Sequence, residues 1–201
     1  MPTLDPGLIV RACVLLRAGG VVAYPTDTFY GLAADPRNPG AVARLFAIKG
    51  RAEGQAIPLI AADESQAIAA AEFDDRSLRV ARAFWPGPLS LVLPATAVIS
   101  KAARASDGTI AVRVPASDAA RAIAHAFGFC ITATSANLSG EEPSTSAADV
   151  SRALGGVVDL VLDGGETPGG EPSTLVDARE ETPRLVRAGA IAWDRVLRSI
   201  Q

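Results

Sequence analysis

Lysine is almost missing from this sequence. Of its 19 basic residues only Lys49 and Lys101 are lysine, and the other 17 are arginine. A lysine kept where arginine otherwise serves suggests a need for a compact, movable ammonium, although two cases also fit drift. Histidine is scarcer: His125 stands alone in an alanine-rich stretch, where packing is the expected role, which argues against a Ser-His-Asp hydrolase. Cys13 and Cys130 are isolated. They make neither a C-x-x-C motif nor a disulfide framework, which fits a reducing cytoplasm. One histidine and two separate cysteines also argue against a zinc site. No apolar run approaches the ~20 residues needed to span a bilayer, and no signal-peptide pattern opens the chain. Both common nucleotide cradles, G-x-x-x-x-G-K-[ST] and G-x-G-x-x-G, are absent, so a nucleotide would have to be held by side chains and strand-end backbone. Aromatic residues are 5% of the chain, the net charge is −3 and the pI is about 5.2. Bulk charge therefore offers no general attraction to nucleic acid or an anionic membrane, and only a local basic cleft stays open.

What is present reads as one domain over residues 1–201: 49% hydrophobic and 20% charged residues suit a soluble globular chain with a full core. Asp5-Pro6 and Asn38-Pro39 each give a cap followed by proline, opening helices to Leu16 and to Lys49. Asp63, Asp74, Ser117 and Thr145 or Ser146 cap further helices, a short one is expected over 98–105, and a last one from Ala192. Apolar runs predict strands at 21–24, 57–61, 89–93, 109–114, 130–134, 158–162, 173–177 and 184–187. Alternation gives an α/β class, and the consecutive strands near the end call for a mixed sheet. The Gly/Pro-rich run 163–172 is long enough to be a mobile loop over a site.

The chemistry-bearing positions recur at strand and helix ends. Tyr24–Leu32 reads Y-P-T-D-T-F-Y-G-L, with hydroxyls and a carboxylate just past an apolar run. Lys49 and Arg51 offer a point charge and a fork for phosphate or carboxylate, or are simply solvated charges favoured by the helix dipole. Arg113 lies in T-I-A-V-R-V-P, where an unpaired charge would cost several kcal/mol, on the order known for buried ions. It is either salt-bridged or facing a ligand, and Arg187 in R-L-V-R-A-G has the same form. S-A-N-L-S-G at 135–140 follows a strand, where ligands bind in α/β sheets, and Ser173-Thr174 is a weaker signal. Trp85, among prolines, reads as packing. Several cations and hydroxyls without a clear base or nucleophile suit phosphoryl or nucleotidyl transfer.

The order Y-P-T-D-T-F-Y-G-L, K-G-R, I-P-L, F-W-P-G-P-L-S-L-V-L, A-V-R-V-P, S-A-N-L-S-G, P-S-T-L-V-D and R-L-V-R-A-G, from about Leu8 to Ala190, resembles the YrdC/TsaC family of threonylcarbamoyl-AMP synthases. The resemblance implies a twisted mixed sheet with surrounding helices and a large concave cleft. It implies a reaction of L-threonine, bicarbonate or CO2 and ATP with Mg2+, giving threonylcarbamoyl-AMP and pyrophosphate. Downstream threonylcarbamoyl-transfer enzymes would modify tRNA position 37, with at most weak direct tRNA contact. The chain ends where short, single-domain members end. By the same resemblance Lys49 and Arg51 are catalytic. Arg51, Gln55, Thr109, Ser135, Asn137, Ser144 and Arg187 meet ATP, and Thr28, Arg113 and Ser173 meet threonine. The chain departs from the pattern at Ala52, at Gln55, at Pro172 and in having no histidine near Ile60–Ala62. An RNA-binding module, a paralogous group of the same fold and a hydrogenase-maturation domain are the competing readings. The acidic pI, the intact K-x-R and S-A-N pattern and the chain length count against them in turn.

Overall fold

The computed structural model describes residues 4–50 and 56–200. Its helices form where local sequence supplies their ends. Helix α1 (Pro6–Arg17) starts on Asp5, whose carboxylate accepts from the Gly7 and Leu8 amides, with proline at the first turn. Helix α2 (Pro39–Lys49) repeats the device with Asn38 and stops at Gly50, whose φ of 60° is the left-handed cap glycine adopts at little cost. That stop makes Lys49 the last helical residue. Helices α3 (Glu64–Ala70) and α4 (Asp75–Phe84) are capped by Asp63 and Asp74. Helices α5 (Asp118–Phe127) and α6 (Ala147–Leu154) are capped by Ser117 and Ser146, and α7 is Trp193–Arg198. The short helix expected over 98–105 is a single 3₁₀ turn, Lys101–Ala103.

Among the described residues ten strands make two mixed sheets. The first has the order β7 (Thr134–Ser135), β2 (Tyr30–Ala33), β1 (Val22–Pro25), β8 (Leu160–Val161). Only the β1–β8 pair in it is parallel. The second has the order β10 (Arg184–Arg187), β9 (Thr174–Asp177), β4 (Leu89–Pro94), β5 (Thr109–Arg113), β3 (Leu59–Ile60), β6 (Ile131–Thr132). In it β4–β9 and β3–β5 are parallel and the rest antiparallel.

The α/β class with a mixed sheet holds, and two details differ from the sequence reading. Strand β2 was not foreseen, because Y-G-L-A is buried on both faces and shows no alternation. The stretch 130–134, expected as one strand, divides at Ala133, whose amide turns to the Pro58 carbonyl at 2.8 Å. Its first half joins the second sheet and its second half the first. Thr132 ties the two together at that point: its Oγ1 accepts from the Ala34 amide (2.8 Å) and donates to the Leu32 carbonyl (3.0 Å). Tyr24 Oη adds a bond to the Thr132 carbonyl at 3.1 Å. The core fills the space behind both sheets, with α1 and α5 packed on each other and α5 on β1 and β3. His125 on α5 is exposed and lies outside the cavity lining. Trp85 packs edge-on against Phe73 and donates from Nε1 to the Leu89 carbonyl.

The rim of the second sheet carries a charge network with a consequence for acid stability. Buried Asp177 accepts from Arg179 Nε and Nη2 at 2.9 and 2.8 Å, and from Arg184 at 3.3 Å. Arg179 also bonds Asp107 at 2.8 Å. The Arg179 hydrogen bonds, acting against desolvation, hold the Asp177 carboxyl below the usual carboxylate range. A carboxyl depressed in the fold stabilises fully above its unfolded pKa, about 3.9. That contribution is lost as pH falls through the lower folded value. Urea unfolding midpoints should therefore stay flat from pH 7 to about 5 and fall below about 4. Arg179→Ala should lower the neutral-pH midpoint and make the acid fall shallower. An acid limb unchanged in that variant would assign the loss to other carboxylates.

Candidate active site

The exposed face of the six-stranded sheet forms the floor of a cavity of about 770 Å3. The β1–β2 turn and the 133–135 segment form its wall. Six residues singled out from the sequence line it: Thr28, Thr109, Arg113, Ser135, Ser173 and Arg187. They arrive from three strands (β5, β7 and β10) and two connecting segments, so the site exists only once both sheets have formed. Lys49, Asn137 and Ser144 stand behind this lining, and Arg51 and Gln55 lie outside the described residues.

Arg113 answers both alternatives left open by its position. Its guanidinium makes a two-pronged ion pair with Asp27 in the Y-P-T-D-T turn, at 2.9 and 2.8 Å, and it also lines the cavity. The two side chains are 11% and 8% exposed, so the pair is nearly dry and holds the guanidinium plane in one orientation. The turn around Asp27 is itself built by hydroxyls. Thr26 Oγ1 donates to the Phe29 carbonyl at 2.6 Å and accepts from the Thr28 amide at 3.2 Å. This presents Thr28 to the cavity.

Arg187 reaches over the opposite side of the floor, from the edge strand β10. Its Nη2 donates to the Ser173 carbonyl at 2.9 Å and to Ser173 Oγ at 3.3 Å. Among the described residues no carboxylate pairs with it. Desolvation, and then the facing charge of Arg113, holds its guanidinium below the usual arginine range. Two guanidiniums that sense one another across a cavity, with one carboxylate among the described residues paired to Arg113 and none to Arg187, make a site that favours an anion. Gly189 makes this geometry possible: a Cβ there would sit 2.2 Å from the Pro172 carbonyl oxygen, so only glycine lets β10 exit against Ser173.

Lys49 has a different surrounding from the one its charge suggested. It is 5% exposed. Its Nζ donates to the Ser135 carbonyl (2.7 Å), the Asn137 carbonyl (2.7 Å) and Asn137 Oδ1 (2.8 Å), and lies 3.3 Å from Ser135 Oγ. Its own carbonyl accepts from the Ser139 amide at 3.1 Å. The ammonium thus draws the S-A-N turn onto the end of α2. A guanidinium could not converge on these oxygens in the same volume, which gives the retained lysine a physical reason. Lys101, by contrast, is exposed. Asn137 completes the turn by donating from Nδ2 to the Glu141 carbonyl at 2.6 Å.

Thr109 donates from Oγ1 to Asp107 at 2.7 Å, which leaves its oxygen as an acceptor at the cavity edge. The Ser144 carbonyl accepts from the Tyr30 amide at 2.9 Å, next to the lining residue Pro143. The glycine-rich segment 163–172 is pinned at several points. The Gly169 amide donates to the Thr28 carbonyl at 2.7 Å, Tyr30 Oη donates to the Gly165 carbonyl at 2.8 Å, and the Thr167 amide donates to the Thr145 carbonyl at 2.9 Å. Its far end, at Gly170 and Pro172, lines the cavity. Among the described residues no group of three or more His, Cys, Asp or Glu side chains is placed to hold a metal ion.

Sequence reasoning gave no role to Asp27 or Ser90. Asp27 carried a signal, a carboxylate in a turn beside a lone strand arginine. Ser90 did too: it is the polar residue in L-S-L-V-L, two positions from Val92 on the same cavity-facing side.

Comparison with known proteins bears on the chain's family and fold. A family model covering Sua5, YciO and YrdC proteins, described as "Telomere recombination", matches residues 14–189. A threonylcarbamoyl-AMP synthase of Halorhodospira halophila is 43% identical over 164 residues, covering 81% of this chain and 86% of that one. A threonylcarbamoyl-AMP synthase of Pyrococcus abyssi is 38% identical over 186 residues, 92% of this chain but 55% of the relative. The crystal structure of P. abyssi Sua5 complexed with L-threonine superposes with a TM-score of 0.92 at 35% identity, covering 98% of this chain and 58% of that chain. The chain thus spans little more than half the length of the Pyrococcus protein. No helix among the described residues is long and apolar enough to cross a membrane. By the family model and by these relatives, the chain belongs to the Sua5/YciO/YrdC family.

Proposed function

We propose that this protein is an L-threonylcarbamoyladenylate synthase, converting L-threonine, bicarbonate or CO2 and Mg–ATP into threonylcarbamoyl-AMP and pyrophosphate, in the cytoplasm. The observation that carries the reading is the pair of guanidiniums, Arg113 and Arg187, set on one cavity floor, with Asp27 the one carboxylate paired to either of them among the described residues. Such a site takes up an amino-acid carboxylate beside a polyphosphate without needing a resident base. Two relatives bear the name of this activity, and the Pyrococcus protein is described with L-threonine bound.

In this reading Arg113 receives the threonine carboxylate, with Thr28 and Ser173 beside it. The threonine amine takes up carbon dioxide to form an N-carboxylate and releases a proton. That carboxylate oxygen then bonds to the α-phosphorus of ATP as the bond to the β-phosphate oxygen breaks, and pyrophosphate leaves with the electron pair. Arg187 and, from the family resemblance, Arg51 offset charge on the phosphates. Ser135, Asn137, Thr109, Ser144 and Gln55 border the nucleotide. Lys49 acts by holding the 135–137 turn in place. Magnesium comes as the counter-ion of ATP and lowers the charge of the leaving group. The product would pass to enzymes that transfer the threonylcarbamoyl group to tRNA.

The test is incubation with Mg–ATP, bicarbonate and each of the common amino acids in turn, reading pyrophosphate. Release with L-threonine and background with the others is the expected result. Release independent of any amino acid would overturn the reading.

A further inference from the structure

A polar row crosses the otherwise apolar floor of the cavity, and its central member, Ser90, has no role so far. Ser90 is 5% exposed within β4, yet it lines the cavity. Its Oγ lies 2.9 Å from Ser173 Oγ, its one side-chain hydrogen bond among the described residues. In the β4–β5 register Leu91 opposes Val112. The next pair outward in this antiparallel ladder is Ser90 with Arg113, on the opposite face from Leu91 and Val112. Side-chain contacts therefore link Arg187 of β10, Ser173 just before β9 and Ser90 of β4, and the β4–β5 register sets Arg113 beside Ser90, so the row runs from one guanidinium to the other.

Hydrogen-bond counting gives this row a direction. Each serine hydroxyl has one proton to donate. Arg187 Nη2 donates to Ser173 Oγ, so Ser173 is an acceptor on that side. One proton is used between the two serines, and the other has no protein acceptor among the described residues. The arrangement in which Ser173 donates to Ser90 runs head to tail from the guanidinium, and bonds in such a chain polarise one another. The free proton then sits on Ser90, facing the cavity beside Arg113.

We propose that Ser90 is a substrate-binding residue, donating a hydrogen bond to the carboxylate that Arg113 attracts. The ligand class is a small α-amino acid carboxylate. The assignment deepens the threonine-dependent reading above and rests on it for the identity of the ligand. Ser90 selects a carboxylate of defined orientation: one oxygen meets the Arg113 guanidinium and the other the Ser90 hydroxyl, so the amine is turned away from the floor. Arg187 acts at a distance, by keeping the proton of Ser173 on the Ser90 side.

The test is calorimetric binding of L-threonine, which does not depend on turnover, alongside steady-state kinetics. Ser90→Ala should weaken threonine binding about tenfold or more, the loss expected for a hydrogen bond to a charged group. KM for threonine should rise by a similar factor, and KM for ATP should stay within about twofold. Ser90→Thr keeps the hydroxyl and should stay within about threefold of the parent. In the Ser90→Ala/Ser173→Ala double variant the loss should be smaller than the product of the single losses, because both break one chain. Should Ser90→Ala melt early, Ser90→Cys keeps the volume, donates poorly and should show the same binding loss. Threonine binding unchanged in the Ala variant, or lost equally in the Thr variant, would overturn the role of Ser90. Threonine binding that depends on Ser90, in a wild-type protein that makes no pyrophosphate, would overturn the synthase reading and leave the subsite standing. Absence of any amino-acid binding by the wild type would overturn both.

Discussion

Lys49→Ala should lose stability and activity together. The ammonium bonds two carbonyls and a side-chain oxygen at 2.7 to 2.8 Å, and lies close to a fourth acceptor. Removing it takes the ammonium from the Asn137 carbonyl and Oδ1, while the Ser135 carbonyl keeps the Asn137 amide at 3.0 Å; each buried acceptor left unpaired costs about 1–3 kcal/mol. A net loss near 3 kcal/mol would lower Tm by roughly 6–12 °C for a chain of this size. The turn it releases carries Ser135 at the cavity wall, and Ser135 pairs with Gly31 in the β7–β2 ladder. Misplacing that wall by an ångström is enough for a rate loss of about 10²-fold. Lys49→Arg keeps the charge and should rescue neither property, since the planar fork does not fit four converging oxygens. A phosphate-neutralising lysine would behave differently. Its alanine variant would melt like the parent, and arginine would restore part of the rate. Thermal melts read beside kcat in the two variants separate these cases.

Arg113 should show the largest effect on the amino-acid substrate, and its partner makes the experiment interpretable. Arg113→Ala removes the cation that faces the cavity and strands Asp27, which is 8% exposed. Breaking a buried pair from one side costs about 3–5 kcal/mol, so this variant alone confuses folding with binding. Asp27→Asn/Arg113→Gln replaces both charges with neutral amides that can bond each other. It should recover most of the stability lost in the single variants. It should not recover function: KM for threonine should stay raised by at least about 10²-fold, the loss expected for a two-pronged charged contact. Asp27→Asn alone keeps the cation but loosens its orientation, and should raise KM for threonine less than Arg113→Ala does. If the stable double variant bound threonine normally, Arg113 would be a structural residue only.

Much of this architecture is legible in the chain because its signals are local. Asn38-Pro39 and Gly50 bound α2 without help from the rest of the protein, and so place Lys49 at a helix end. The lone charge in T-I-A-V-R-V-P demands a partner or a ligand on burial grounds alone. The features that were not legible depend on pairing between distant segments. Nothing near Tyr30–Ala33 distinguishes a strand from a buried turn, and β2 exists because β1 and β7 close on it from either side. Cys130–Thr134 reads as one strand, and only the meeting of two sheets at Thr132 requires it to change partners. The site follows the same division. Residue types announced an anion site, but whether Lys49 faces phosphate or backbone depends on where the 135–137 turn lands. The sequence contains Asp27 and Arg113 86 positions apart, and only the fold sets them 2.8 Å from each other.

In the proposed reaction the cavity joins an amino acid, a one-carbon unit and an adenylate. The most direct measurement is mass spectrometry of the product made from L-threonine, Mg–ATP and ¹³C-bicarbonate. The account predicts an adenylate carrying threonine and one ¹³C, formed with pyrophosphate and strongly reduced at low threonine in the Asp27→Asn/Arg113→Gln reaction. An unlabelled threonyl adenylate, or AMP alone with label left in solution, would contradict it.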